Sequence, residues 1–253
     1  TTRLASGKDT FAMIQADDVL LARQQGIPLV LVFGTFQTNP QGFLFHTANP
    51  LKDFSDLNGR KVYVSSGSSY WLYLVQKYKL TTVQEMSYNG QLATFFADKT
   101  AVFQCYVTDE PLTAKKAGFD VGTLLNADSG YNPYANAMAT TEQMIKDKPE
   151  VIQAAVASWL FGWKSFFTDP KPGLALIKKD NQDYDTDQGL LSVGIGKPMV
   201  MGTTPDPKTV GLLTMDRLKA LHDQMRSTGV LTKDIDLTTM FTTKFIEAAQ
   251  KAA

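Results

Sequence analysis

Pro28-Leu29-Val30-Leu31-Val32-Phe33 is an almost unbroken apolar run. A strand that faces water on one side alternates polar and apolar residues. This one has no polar side, so it demands cover on both faces, as in a parallel sheet packed between helices. The surrounding chain keeps the same rhythm. Asp9 to Ile14 reads as a strand, Asp17 as a helix cap, and Asp18 to Gln25 as a helix closed by Gly26. Lys61 to Ser65 opens a second set, with a helix from Tyr70 to Tyr78 and a strand near Val83 to Ser87. A helix from Gln91 to Asp98 and a strand from Ala101 to Val107 complete it. This βαβα order predicts an α/β fold with open, mostly parallel sheets flanked by helices.

From about Thr141 the periodicity turns helical. Val151 to Trp163 is apolar almost all round and is expected to be well buried, with Trp159 and Trp163 in the core. Asp206 to Arg226 reads as one helix or two. The extended stretches Gln41–Pro50 and Tyr131–Met138 read as crossings between lobes. The expected division is therefore residues 1–46 plus 134–253 as a discontinuous lobe one, and 47–133 as lobe two. Two crossings make a hinge.

Several function classes lack their signatures. Lys plus Arg equals Asp plus Glu, 25 of each, with no basic stripe for nucleic acid and no basic amphipathic face for a membrane surface. No apolar run approaches the roughly 18–20 residues that span a bilayer. Cys105 is the single cysteine and reads as a small buried side chain, so neither a disulfide nor a zinc site is expected. His46 and His222 belong to no metalloprotease motif. Ser192 to Pro198 superficially resembles a phosphate loop but has Leu191 for its first glycine and Pro198 for the Ser/Thr. No catalytic residue, metal or cofactor is expected. The opening Thr1 to Gly7 resembles the last turn of a helix, so a preceding segment is expected.

Open parallel sheets bind ligands beyond the carboxyl ends of their strands. Those ends read Gln15-Ala16-Asp17, Gly34-Thr35-Phe36-Gln37, Ser65 to Trp71, Tyr88-Asn89 and Thr108-Asp109-Glu110-Pro111. The candidate binding residues are Gln15, Asp17, Phe36, Gln37, Gly67, Ser68, Ser69, Tyr70, Trp71, Asn89, Thr108 and Glu110, with Tyr131 and Tyr134 from the second crossing. The Ser65–Ser69 turn offers backbone N–H groups at a helix start to a sulfonate, carboxylate, phosphate or ring carbonyl. Tyr70 and Trp71 offer a stacking face beside it. The same turn also starts a helix well in any α/β protein. Glu110 reads equally as an acceptor for a ring amine or as a solvated loop carboxylate. Asp17 reads first as a helix cap.

Leu4 to Asp9, Asp17 to Arg23 and Gly26 to Val30 resemble the opening lobe of periplasmic solute-binding proteins. The group is the one with alkanesulfonate-, taurine- and thiamin-pyrimidine-binding components of ABC importers. Asp56-Leu57-Asn58-Gly59-Arg60-Lys61-Val62 is similar to that family's entry into lobe two. Thr108 to Pro111 with Gly118 to Val121, and Tyr131 to Thr141, resemble its pyrimidine and riboflavin branch, whereas Gly67-Ser68-Ser69 resembles the sulfonate branch. The resemblance implies a type II-like periplasmic-binding-protein fold, with a small molecule captured in a cleft by lobe closure and delivered to a membrane permease. It implies a monomer in the periplasm or outside the cell, with or without a lipid anchor. Two departures stand out: the family's first β/α/β stretch is missing, and its Tyr-Gly-Asp is Tyr134-Ala135-Asn136 here. An aromatic heterocycle, a thiamin-precursor pyrimidine or a riboflavin-like molecule, ranks ahead of a sulfonate. A pyrimidine-precursor synthase resembles the same family, but its cysteine-rich motif is missing, and a sensor module is a third reading.

Overall fold

A computed structural model describes residues 1–202 and 206–252. In chain order the elements begin α1 (Thr2–Ala5), β1 (Ala12–Ile14), α2 (Ala16–Gln24), β2 (Leu29–Phe33), β3 (Gln41–His46) and β4 (Lys61–Val64). There follow α3 (Ser69–Tyr78), β5 (Gln84–Ser87), α4 (Ala93–Ala97), β6 (Val102–Tyr106), α5 (Glu110–Lys116), β7 (Val121–Leu125) and β8 (Ala137–Thr141). The remainder is helical: α6 (Glu142–Asp147), α7 (Pro149–Thr168), α8 (Lys171–Asp180), α9 (Thr186–Met201), α10 (Met215–Ser227) and α11 (Lys244–Ala252).

The chain forms two compact units. Unit 1 holds Thr1–Thr38, Pro133–Thr186 and Lys197–Ala253; unit 2 holds Asn39–Asn132 and Asp187–Gly196. The first expected boundary, at 46/47, therefore moves to 38/39. Gln41–His46 is not a connector but the strand β3, hydrogen-bonded on both sides within unit 2. Residues 187–196, expected in lobe one, also count with unit 2. They lie in α9, which carries Pro198 inside it just beyond the change of unit.

Unit 1 has a three-stranded sheet of order β1-β8-β2, with β8 antiparallel to both neighbours. All five residues of β2 are buried, as its apolar run requires, and α2 and α11 pack against it. Unit 2 has five strands in the order β5-β4-β6-β3-β7. Here β4 runs parallel to β5 and β6, while β3 is antiparallel to β6 and β7. Unit 1's sheet is thus antiparallel and unit 2's mixed, rather than both mostly parallel. Nevertheless β5, β4, β6 and β7 share one direction, and their carboxyl ends lie on one edge.

Alternation along β3 fills both faces of that sheet. Phe43 meets Tyr70 and Trp71 of α3 at 6.4 and 6.1 Å between ring centroids. On the other face His46 stacks on Phe95 of α4 at 4.1 Å, and Phe95 meets Phe103 at 5.5 Å. His46, expected in a crossing, is a buried core residue bonded to the Phe95 carbonyl.

α7 departs from expectation. Its inward stripe is Ile152, Val156 and Leu160, spaced by four, with Phe167 near the end. The remaining apolar residues point elsewhere: Phe161 is 72% exposed and Trp159 37%. An apolar sequence all round did not make a buried helix: among the described residues the Ile152, Val156 and Leu160 stripe is covered, while Trp159 and Phe161 are not.

Candidate functional site

In unit 2 the register sets the edge. Val64 pairs with Ser87 and Gln41 with Tyr106, while the Tyr88 N–H bonds to the Val64 carbonyl at 3.1 Å. The loops after β4, β5 and β6 therefore emerge side by side. Side chains from the strands then fasten the loops. Gln104 Oε1 accepts from the Ser65 N–H at 2.7 Å and from Tyr70 Oη at 2.6 Å. The Glu85 carboxylate accepts from Ser66 Oγ and, at 2.7 Å, from Trp71 Nε1. Gly67, at φ 73°, supplies the left-handed step that lets the chain turn into α3. Ser68 is the extended cap residue and Ser69 the first helical one.

Glu110 opens α5 behind β6. Its Oε1 accepts from Tyr88 Oη and its Oε2 from the Tyr106 N–H, each at 2.7 Å. Burial first, then the bond to Glu110 and its charge, holds the Tyr88 hydroxyl well above the ordinary tyrosine range. Asn89 Oδ1 accepts from the Gln91 N–H at 3.0 Å, closing the turn after β5. Thr108 is half-buried between β6 and α5.

Sequence reading missed Asn126. Gly42 pairs with Leu125, so Asn126 stands one residue beyond the carboxyl end of β7, on the same edge. It is 1% exposed, and neither its Oδ1 nor its Nδ2 has a hydrogen-bond partner. An unpartnered buried polar group costs about 1–3 kcal/mol, so such a group wants an explanation. A lone asparagine in an apolar neighbourhood gives no sequence signal of this kind.

In unit 1 the edge is formed by the ends of β1 and β2 and the start of β8. Ala16 N–H bonds to Tyr134 O at 3.0 Å, and Phe36 N–H to Ala135 O at 3.3 Å. Gln15, Phe36, Gln37 and Tyr134 are brought together there. Gly34 is required by packing, since a Cβ would lie 2.7 Å from Leu212 O and 2.8 Å from Tyr134 Cδ1. Gln37 Nε2 donates to Gly34 O at 3.0 Å and Leu212 O at 3.1 Å. Arg217 gathers the rest: Nη1 donates to Gln37 O at 2.7 Å, and Nη2 to Phe36 O at 3.3 Å and Pro133 O at 3.1 Å. Its guanidinium lies 3.8 Å over the Tyr134 ring. Burial lowers its pKa to about 10, against the opposing pull of Tyr134. Thr35 is fully buried with Oγ1 unpartnered, and Gln15 Oε1 is buried without a partner too.

Five expected roles change. Asp17 is the second residue of α2, not its cap; Gln15, with extended backbone, holds the cap position. The rings of Tyr70 and Trp71, offered as a stacking face, are 4% and 1% exposed and belong to unit 2's core. Tyr131, also 1% exposed, packs 5.1 Å from Tyr73, and Tyr134 is sealed under Arg217 with its Oη accepting from the Thr214 N–H at 3.0 Å. Aromatic residues beside strand ends look alike in sequence whether they line a surface or plug the core beneath it.

Residues 1–172 match the family described as NMT1/THI5 like. The riboflavin-binding protein RibY of Chloroflexus aurantiacus is 26% identical over 251 residues, 93% of this chain and 70% of that protein. The alkanesulfonate-binding protein SsuA from Xanthomonas axonopodis pv. citri, solved bound to MOPS, superposes with a TM-score of 0.71 at 12% identity, over 96% of this chain and 83% of that one. The desulfurization enzyme DSZB superposes at 0.64 with 13% identity, over 96% and 85%. At these identities the structural likeness is one of fold, the two-lobed α/β fold of periplasmic binding proteins. The chain belongs to the NMT1/THI5 like family.

Proposed function

We propose that the chain is the extracytoplasmic substrate-binding component of an ABC importer. Its ligand is a small aromatic heterocycle, a thiamin-precursor pyrimidine or a riboflavin-like ring system. The observation that carries the ligand class is the charge of unit 2's strand-end edge. Glu85 and Glu110 are both built into it through two hydrogen bonds each. Glu85 already supplies a carboxylate to the first turn of α3, where a ligand anion would otherwise dock. Such an edge suits a neutral or amine-bearing ring better than a sulfonate. The likeness to RibY points the same way. Closure of the lobes on the ligand belongs to this reading, as do delivery to a membrane permease and an extracytoplasmic location. Among the described residues no helix is long and apolar enough to cross a membrane.

A sulfonate is the second reading, favoured by the fold shared with SsuA and by the Gly67 turn. The fold is also shared with the enzyme DSZB. Against a thiol nucleophile here stands Cys105, buried inside β6 with its pKa raised by burial and then by the Glu110 charge.

Native mass spectrometry of the protein as purified, followed by a thermal-shift panel, tests the proposal. A true ligand at a hundredfold excess over its Kd adds about 2.7 kcal/mol of stability. Stabilisation by pyrimidines or flavins is expected. Stabilisation by taurine or MOPS with silence from every heterocycle would reverse the ranking.

A further inference from the structure

We propose that Tyr88 is a specificity-determining residue that presents its hydroxyl oxygen to the ligand as an acceptor only, because its hydroxyl proton is committed to a hydrogen bond that Glu110 accepts. This rests on the binding-protein reading above. A tyrosine hydroxyl has one proton to give and lone pairs to receive. Tyr88 Oη donates its hydrogen bond to Glu110 Oε1 at 2.7 Å, and Glu110 cannot turn away, because its Oε2 is tied to the Tyr106 N–H at 2.7 Å. The ring is held as well, packed edge-on against Phe103 at 6.2 Å. Tyr88 remains half-buried, at the carboxyl end of β5, beside the turn that starts α3.

The consequence is a fixed polarity. The hydroxyl has no proton left for a sulfonate or a ring carbonyl, and receives an N–H from an aminopyrimidine or an imide. Glu110, which the sequence offers as a direct partner for a ring amine, acts one step back as a positioning residue.

The polarity can be inverted. In Glu110→Gln only one side-chain oxygen remains. If it keeps the Tyr106 N–H, the new amide donates to Tyr88 Oη, and the tyrosine proton is released towards the ligand. Tyr88→Phe removes both capacities. Calorimetry of the full chain with an aminopyrimidine (4-amino-5-hydroxymethyl-2-methylpyrimidine), riboflavin and taurine, on wild type and both variants, reads the difference. The expected result is about tenfold weaker binding of the N–H donor ligand in both variants. Taurine affinity is expected to rise in Glu110→Gln and not in Tyr88→Phe. A structural role alone lowers melting temperature without exchanging the ligand preference. Unchanged heterocycle affinity in both folded variants overturns the inference.

If wild type ignores both heterocycles, the ligand class proposed above fails, and NMR of isotope-labelled tyrosine decides the polarity separately. A slowly exchanging Tyr88 hydroxyl proton that disappears in Glu110→Gln sustains it. A hydroxyl that exchanges freely in wild type overturns it.

Discussion

In unit 2 the loops after β4, β5 and β6 are held by acceptors: Gln104, Glu85 and Glu110 reach out from strands and a helix start to collect N–H and O–H groups. In unit 1 the strand-end loops are held by a donor, with Arg217 collecting three carbonyls from residues 36, 37 and 133. The two edges have similar polar sequences and opposite wiring. Acceptors spread over several side chains leave an edge whose polarity is set residue by residue. A single buried cation gathers Phe36 and Gln37, just before the chain leaves unit 1 at 38/39, and Pro133, the first residue where it returns from unit 2 at 132/133. On the proposed reading unit 2's edge sets selectivity, whereas unit 1's holds the chain where it leaves and returns.

The sharpest way to break that contrast is Arg217→Met. The substitution keeps much of the side-chain volume but strands three carbonyls and removes the stacking over Tyr134. Each stranded buried carbonyl costs about 1–3 kcal/mol, and water admitted to the gap offsets part. A loss of about 3–5 kcal/mol in urea unfolding is expected, with Arg217→Lys intermediate because an ammonium cannot reproduce the planar fork. A loss below 1 kcal/mol would mean that unit 1's edge does not depend on one donor.

None of this wiring was legible in the sequence, although much of the frame was. The run at 28–33 and the repeating strand–helix order gave the α/β class, because burial and periodicity are local properties. The β3 strand was misplaced because Gln41–His46 carries the same β-rich pattern whether it pairs or connects. Only its partners, at 103–106 and 121–125, distinguish the two. Glu110 was visible as a fixed carboxylate after a strand, but its commitment to Tyr88 joins residues 22 apart. Arg217 lies 84 residues from Pro133, and nothing at position 217 announces the contact.

A smaller effect separates groups that hold the frame from groups left uncommitted. Thr35→Val in unit 1 and Asn126→Leu in unit 2 each remove a buried polar group that has no hydrogen-bond partner. Replacing such a group by an apolar one of similar shape is neutral or stabilising, here by up to about 1 kcal/mol in the ligand-free protein. Ligand affinity is expected to fall at either site whose polar atom serves the ligand. Chemical denaturation with and without bound ligand measures both. If both variants lose stability, these side chains belong to the frame, and the edges are less open to ligand than the contrast requires.

The weakest effect provides a control from the opposite end of unit 2's sheet. Asp98 sits near the amino ends of β4 and β6. Its carboxylate accepts from Thr100 Oγ1 at 2.7 Å, from the Thr100 N–H at 2.9 Å and from Lys61 Nζ at 3.3 Å. The Thr100 bonds chiefly, and Lys61 after them, pull its pKa from 3.8 to about 2. A depressed carboxylate stabilises the folded state fully above the unfolded value and loses that contribution as pH falls through the folded one. Asp98→Asn should therefore flatten the acid limb of stability between about pH 4 and pH 2, and leave ligand affinity at neutral pH unchanged. Should Asp98→Asn shift ligand preference as Glu110→Gln is expected to, selectivity would be spread over the whole sheet rather than fixed at its carboxyl edge.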